Sequence, residues 1–163
     1  MPPGLEAWHE AGHALAAHLV GGTVRVVTLE SEIEGLDGHV AVEWRAMRED
    51  DAARCSATVA LAGPVAELVF EGADLLHDDA ARSTWREDWR EASTQLARLH
   101  SDLVTREDAR RAILRRLHSR FDSSEGYECL ARLADALDAH ETLDEGLFLD
   151  ALGDTWREAR GLG

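Results

Sequence analysis

His9-Glu10-Ala11-Gly12-His13 sets two imidazoles four positions apart with a carboxylate beside the first. On a helix, residues four apart share a face and lie about 5 to 6 Å from each other at Cβ, so both rings can converge on one tetrahedral metal ion. Glu10 is then placed to take a proton from a water whose pKa the ion has lowered toward about 7. That is the chemistry of an HExxH metallopeptidase, with zinc as the expected cofactor. A catalytic zinc keeps three protein ligands and one open position, so a third ligand has to come from elsewhere in the chain.

The extended form HExxHxxGxxH is excluded, because Ala16 and Leu19 stand where it needs glycine and histidine. His18 lies about 140° round the helix from His13 and points away from the metal, as a packing or surface histidine. Carboxylates remain. Asp88 sits about 60° from the centre of the Trp85/Trp89/Ala92/Leu96 stripe and can face inward at the edge of the core. Glu67 competes with it, since a carboxylate inside the apolar run VALAGPVAELVF needs a partner: a zinc, or the free ring N–H of a zinc-bound histidine. Spacing does not separate the two. His77, Asp78 and Asp79 are fallback ligands, though acids clustered in an acidic chain more often form a solvated loop. His39, at the start of a strand expected to pass the metal, is a candidate for contacting substrate.

These residues must be carried by a small set of elements. Leu5, Trp8, Gly12, Leu15 and Leu19 recur at helical spacing and Gly21-Gly22 ends the pattern, giving a helix of about four turns in which Gly12 admits a close neighbour. Residues 23 to 30 and 39 to 44 alternate and are β-branched, which predicts an antiparallel pair joined through a connection containing Gly35 and Gly38. A long apolar segment from Asp50 to Phe70 is a buried helix, with a kink expected at Gly63-Pro64. Residues 73 to 82 read as a loop and 84 to 103 as a helix whose stripe, Trp85 and Trp89 included, is core. Thr105-x-x-Asp108 and Thr142-x-x-Glu145 read as caps opening helices near 106 to 120 and 143 to 152, with another near 125 to 139. The expected fold is mostly α (α+β), a zincin-like helical domain with a small N-terminal antiparallel hairpin. It forms one domain over residues 1–163, with a zinc-binding core over 1–104 and a helical part over 105–163.

Composition narrows the partners. The 163 residues hold 32 acidic and 17 basic side chains for a formal charge of −15, and every basic one is arginine. Nucleic acid and anionic membrane surfaces are therefore poor partners, and without lysine there is no phosphate-loop lysine or Schiff base. No apolar run is expected to reach bilayer length and no secretion signal is evident, so a soluble chain is expected. Cys55 and Cys129 read as two buried thiols in a reducing cytoplasm.

The blocks WHEAGHALAAHLVGG, VALAGPVAELVFEG, DWREAS and LARLADALDAHETLDEGLF, in that order across nearly the whole chain, resemble the peptidase domain of the FtsH family of ATP-dependent zinc metalloproteases. The resemblance implies that Asp88, opening Asp88-Trp89-Arg90-Glu91-Ala92-Ser93, is the third zinc ligand beside His9 and His13. It implies that Glu67 supports a ligand histidine from outside the coordination sphere. The chain departs from the family in carrying no ATPase module or membrane anchor, in Ser83-Thr84-Trp85 where Thr-Gly-Ala is usual, in Pro64 where arginine is common, and in a short stretch between Leu96 and Thr105. The expected function is a zinc-dependent endopeptidase, with Glu10 as general base, cutting flexible or unfolded polypeptides without ATP of its own or beside a separate ATPase or adaptor. The competing expectation is a zinc-stabilised interaction module with little or no hydrolysis. Assembly as a homo-oligomeric ring through the C-terminal helices is compatible with either.

Overall fold

A computed structural model describes residues 4–30, 38–74 and 82–162. Its elements run α1 (Leu5–Leu19), β1 (Thr23–Thr28), β2 (His39–Glu43), α2 (Glu49–Glu71), a 3-10 turn (Ser83–Trp85), α3 (Arg86–Leu99), α4 (Leu103–Phe121), α5 (Ser124–His140), β3 (Thr142–Asp144), α6 (Glu145–Leu152) and α7 (Asp154–Arg157). The fold is mostly helical with one small antiparallel sheet, as expected.

The apolar spacing of α1 wraps most of its circumference, so the helix is buried nearly all round, against α2, α5 and β1. Gly12 lets α2 approach: a Cβ there would lie 2.5 Å from both the Ala62 carbonyl oxygen and the Ala66 Cβ. Gly21 ends the helix with φ 99°, a left-handed conformation that glycine adopts without steric cost. The chain then turns directly into β1.

α2 is a continuous 23-residue helix through Pro64. An 18-residue window of it has mean hydropathy 1.3, long and apolar enough to cross a membrane by length and composition. The segment is the buried helix expected between Asp50 and Phe70, although no run of bilayer length was expected; 72% of the window is buried inside the fold, where α2 packs against α1, α3 and α4.

Among the described residues the sheet has three strands, not the two expected, in the order β2-β1-β3. Thr142 does not cap a helix. Thr142–Asp144 pairs antiparallel with β1, Leu143 beside Val27, Leu143 is 1% exposed, and the Thr142 and Thr28 hydroxyls share a 2.7 Å hydrogen bond. The cap of α6 is Asp144, whose carboxylate accepts the Leu147 N–H. Asp102, not Thr105, likewise caps α4, accepting the Thr105 N–H at 3.0 Å. The stripe expected to run unbroken to Leu103 stops at Leu99, because His100 turns extended (φ −136°, ψ 123°); Leu103 and Val104 then stand exposed at the start of α4. Cys129 is buried but Cys55 is only half-buried, and both are free thiols. Gly35, most of the 73–82 loop, and His77, Asp78 and Asp79 lie outside the described residues.

Candidate metal centre and cleft

His9 and His13 leave α1 on one face, and Asp88 reaches them from the first turn of α3. His9 Nε2 lies 3.0 Å from His13 Nε2 and 2.9 Å from Asp88 Oδ2, which is 3.4 Å from His13 Nε2. Ligands about 2.0 to 2.1 Å from a tetrahedral zinc stand roughly 3.3 Å from one another, so the three donors already have the separation that such an ion requires. Among the described residues no other group of three or more His, Cys, Asp or Glu side chains is so gathered.

The outward nitrogens fix the tautomers. His13 Nδ1 lies 2.6 Å from the Val59 carbonyl oxygen, which only accepts, so this nitrogen carries the proton. His9 Nδ1 donates to Glu67 Oε1 at 2.7 Å. Glu67, fully buried in α2, must act as acceptor, because its other oxygen takes the Trp85 indole N–H at 2.7 Å and the Arg82 guanidinium stands 3.6 Å away. When neutral, both histidines therefore turn lone pairs on Nε2 toward one point, an arrangement that requires a cation or a proton between them.

Without a metal, protons take that place. Burial pulls His9 down, but hydrogen bonds to Asp88 and Glu67 and the charge of Asp88 more than reverse it, and its pKa is pushed up to about 10. His13 is raised as well, burial again being outweighed by Asp88. Burial would raise Asp88, yet the two histidines hold it well below the usual carboxylate range. The donor set is thus an internal ion pair that a divalent cation can replace by releasing protons.

Glu10 is 6% exposed. Burial raises its pKa, while His13 and His9 pull the other way. It has no hydrogen-bond partner among the described residues and lines a cleft of about 770 Å³ that also contains His9, His13 and Asp88. Two glycines clear the space. A Cβ on Gly63 would lie 2.7 Å from His13 Cε1 and His9 Nε2, and closer still to His13 Nε2; one on Gly38 would lie 2.5 Å from Glu10 Oε1. The kink expected at Gly63-Pro64 is therefore replaced by a different reason for the glycine, which is room for the imidazole edges in a helix that stays continuous.

His39 opens β2, is exposed and lines the same cleft. His18 is turned away from the centre and donates Nε2–H to the Trp156 carbonyl oxygen at 2.8 Å, its pKa lowered chiefly by burial. Trp85 is core, as its spacing predicts, but its indole N–H has a polar task that the spacing could not show. Trp89 is only partly buried and lies under the Arg110 guanidinium. Trp85 and Gly63 are the residues of the site that sequence reasoning missed; the available signal for Gly63 was its place four residues before Glu67 within the same apolar helix.

Compared with models of known protein families the chain matches none, and no curated protein matches it.

Proposed function

We propose that this chain is a zinc-dependent metalloendopeptidase that hydrolyses flexible or unfolded polypeptides, as its resemblance to the FtsH peptidase domain implies. The observation that carries the reading is the meeting, in one cleft, of three convergent donors with a buried Glu10 that has no hydrogen-bond partner among the described residues.

His9, His13 and Asp88 would hold the ion. The chemistry a zinc ion supplies when held there is Lewis-acid polarisation of the scissile carbonyl and acidification of the attacking water. Glu10 would accept a proton from the attacking water at its carboxylate and return it to the leaving amine, a task suited to a carboxylate whose pKa burial has raised. Glu67 fixes His9 in the tautomer that presents Nε2. Among the described residues β2 is an edge strand, bonded to β1 on one side only, and its residues Val40, Ala41 and Val42 line the cleft. An extended substrate adding to that edge would gain main-chain hydrogen bonds whatever its sequence.

The test is digestion of an unfolded protein mixture by the zinc-loaded chain, read by mass spectrometry, against Glu10→Gln. Loss of cleavage by about 10² to 10⁴-fold with zinc content unchanged is expected; equal cleavage by the variant would overturn the mechanism. If neither protein cuts while both hold zinc, the interaction-module reading replaces this one.

A further inference from the structure

The walls of the cleft carry a charge that the proposed hydrolysis does not use. Besides Glu10 and Asp88, Glu6 of α1 and Glu87 and Glu91 of α3 line it, and among the described residues no arginine does. Glu87 and Glu91 are exposed and one helical turn apart. Their partners lie on the surface of α3 itself: Glu87 pairs with exposed Arg90 at 3.1 Å, and Glu91 accepts from Gln95 at 2.7 Å. Such surface pairs contribute little and exchange readily for an incoming cation. The buried carboxylate of Glu10, without a hydrogen-bond partner among the described residues, opens into the same space. At the end of β2, Trp44 is 37% exposed and lines the cleft, offering an aromatic face of the kind that guanidinium and ammonium groups favour.

We infer that the cleft selects extended polypeptide segments bearing arginine or lysine, with Glu87 and Glu91 receiving the basic side chains while the edge of β2 holds the backbone. This rests on the peptidase reading and adds a substrate class to it. Main-chain pairing is blind to sequence, so charge discrimination falls to the carboxylates that line the cleft beside its apolar residues such as Val40, Val42 and Val59.

The excess of 32 acidic over 17 basic residues attracts any cation, so local and global attraction must be separated. The probe is a pair of fluorescent, unstructured peptides of equal length, one arginine-containing and one with glutamate in place of arginine. Their binding to zinc-loaded Glu10→Gln protein is read by anisotropy. The basic peptide is expected to bind about three- to tenfold tighter at low salt, the equivalent of two exposed ion pairs, with the difference shrinking as salt rises. Adding Glu87→Gln and Glu91→Gln removes most of that difference. Asp135→Asn with Asp138→Asn makes the same charge change on exposed positions of α5 and leaves it in place. Equal binding of the two peptides, or equal erosion by the α5 pair, overturns the inference. Wild-type digestion separates the two ideas. Charge-selective binding without any cleavage sinks the peptidase reading and keeps this one, whereas cleavage indifferent to charge does the reverse.

Discussion

Glu67 on α2 accepts the Nδ1 proton of His9 on α1 at 2.7 Å across 58 positions of sequence, and on its other oxygen holds the indole N–H of Trp85. A fully buried carboxylate with both oxygens engaged leaves His9 little freedom to choose another tautomer. Replacing it by glutamine keeps the volume but puts an amide NH₂ against one of two donors. Glu67→Gln is expected to weaken zinc binding about 10- to 100-fold, measured by competition with a chromogenic chelator, with helix content unchanged by circular dichroism. Unchanged affinity would mean that something other than Glu67 orients His9.

The proton held by His9 makes metal binding depend on pH. In the metal-free chain its folded pKa of about 10 lies above the ordinary 6.5. Its contribution to stability is therefore full below pH 6.5 and is lost as pH rises through about 10. Asp88 has a folded pKa below its ordinary 3.8, so its contribution is present above 3.8 and is lost as acid drives the pH down through the folded value. The metal-free protein thus gains most from this cluster between pH 3.8 and 6.5. Zinc must displace the His9 proton, so affinity should climb from pH 7 toward 10. Calorimetry in buffers of different ionisation enthalpy should show about one proton or more released per zinc near pH 7.5; binding without proton release would contradict the ion-pair description.

Gly63→Ala separates the site from the helix that carries it. Alanine is the better helix former by about 1 kcal/mol, yet its Cβ would press on both ligand imidazoles. The expected outcome is zinc affinity lowered by about tenfold or more with α2 intact by circular dichroism. Wild-type affinity in this variant would show that the imidazoles can be displaced at no cost.

Gly12→Ala tests the contact between α1 and α2. Its Cβ would meet the Ala62 carbonyl, a backbone atom that cannot swing aside. Urea denaturation should show a loss of about 1 to 3 kcal/mol, the usual cost of overpacking a filled core. A stabilised variant would show that the helices can separate freely.

The local signals were legible where one stretch of chain settles its own structure. The periodicity of α1 and its terminal glycines, the alternation of β1 and β2, and the four-residue spacing of His9 and His13 all carry their meaning within a few residues. Signals that depend on a distant partner were misread. Thr142-Leu143-Asp144 followed by Glu145 has the residue types of a capping box, and only the presence of β1 beside it makes Leu143 an inward strand residue and Thr142 a partner for Thr28. Gly63-Pro64 looks like a helix break until the imidazoles of another helix are set against it. Asp88 and Glu67 were equally good ligands by spacing. In the structure Asp88 joins the two Nε2 atoms while Glu67 meets the far side of one ring.

β1 is the middle strand of the sheet, and one of its neighbours arrives 114 residues after it, between Thr28 and Thr142. Every residue of the metal cluster is translated before residue 89, but the strand that braces the cleft wall is flanked on both sides only once Thr142–Asp144 has been made. Closing so long a loop is slow. Until it happens β1 presents an unpaired edge, the kind of surface on which nascent chains aggregate. Maturation of the cleft is thereby tied to synthesis of β3, and a chain cut short before Thr142 would carry all the ligands on a sheet that is not yet closed.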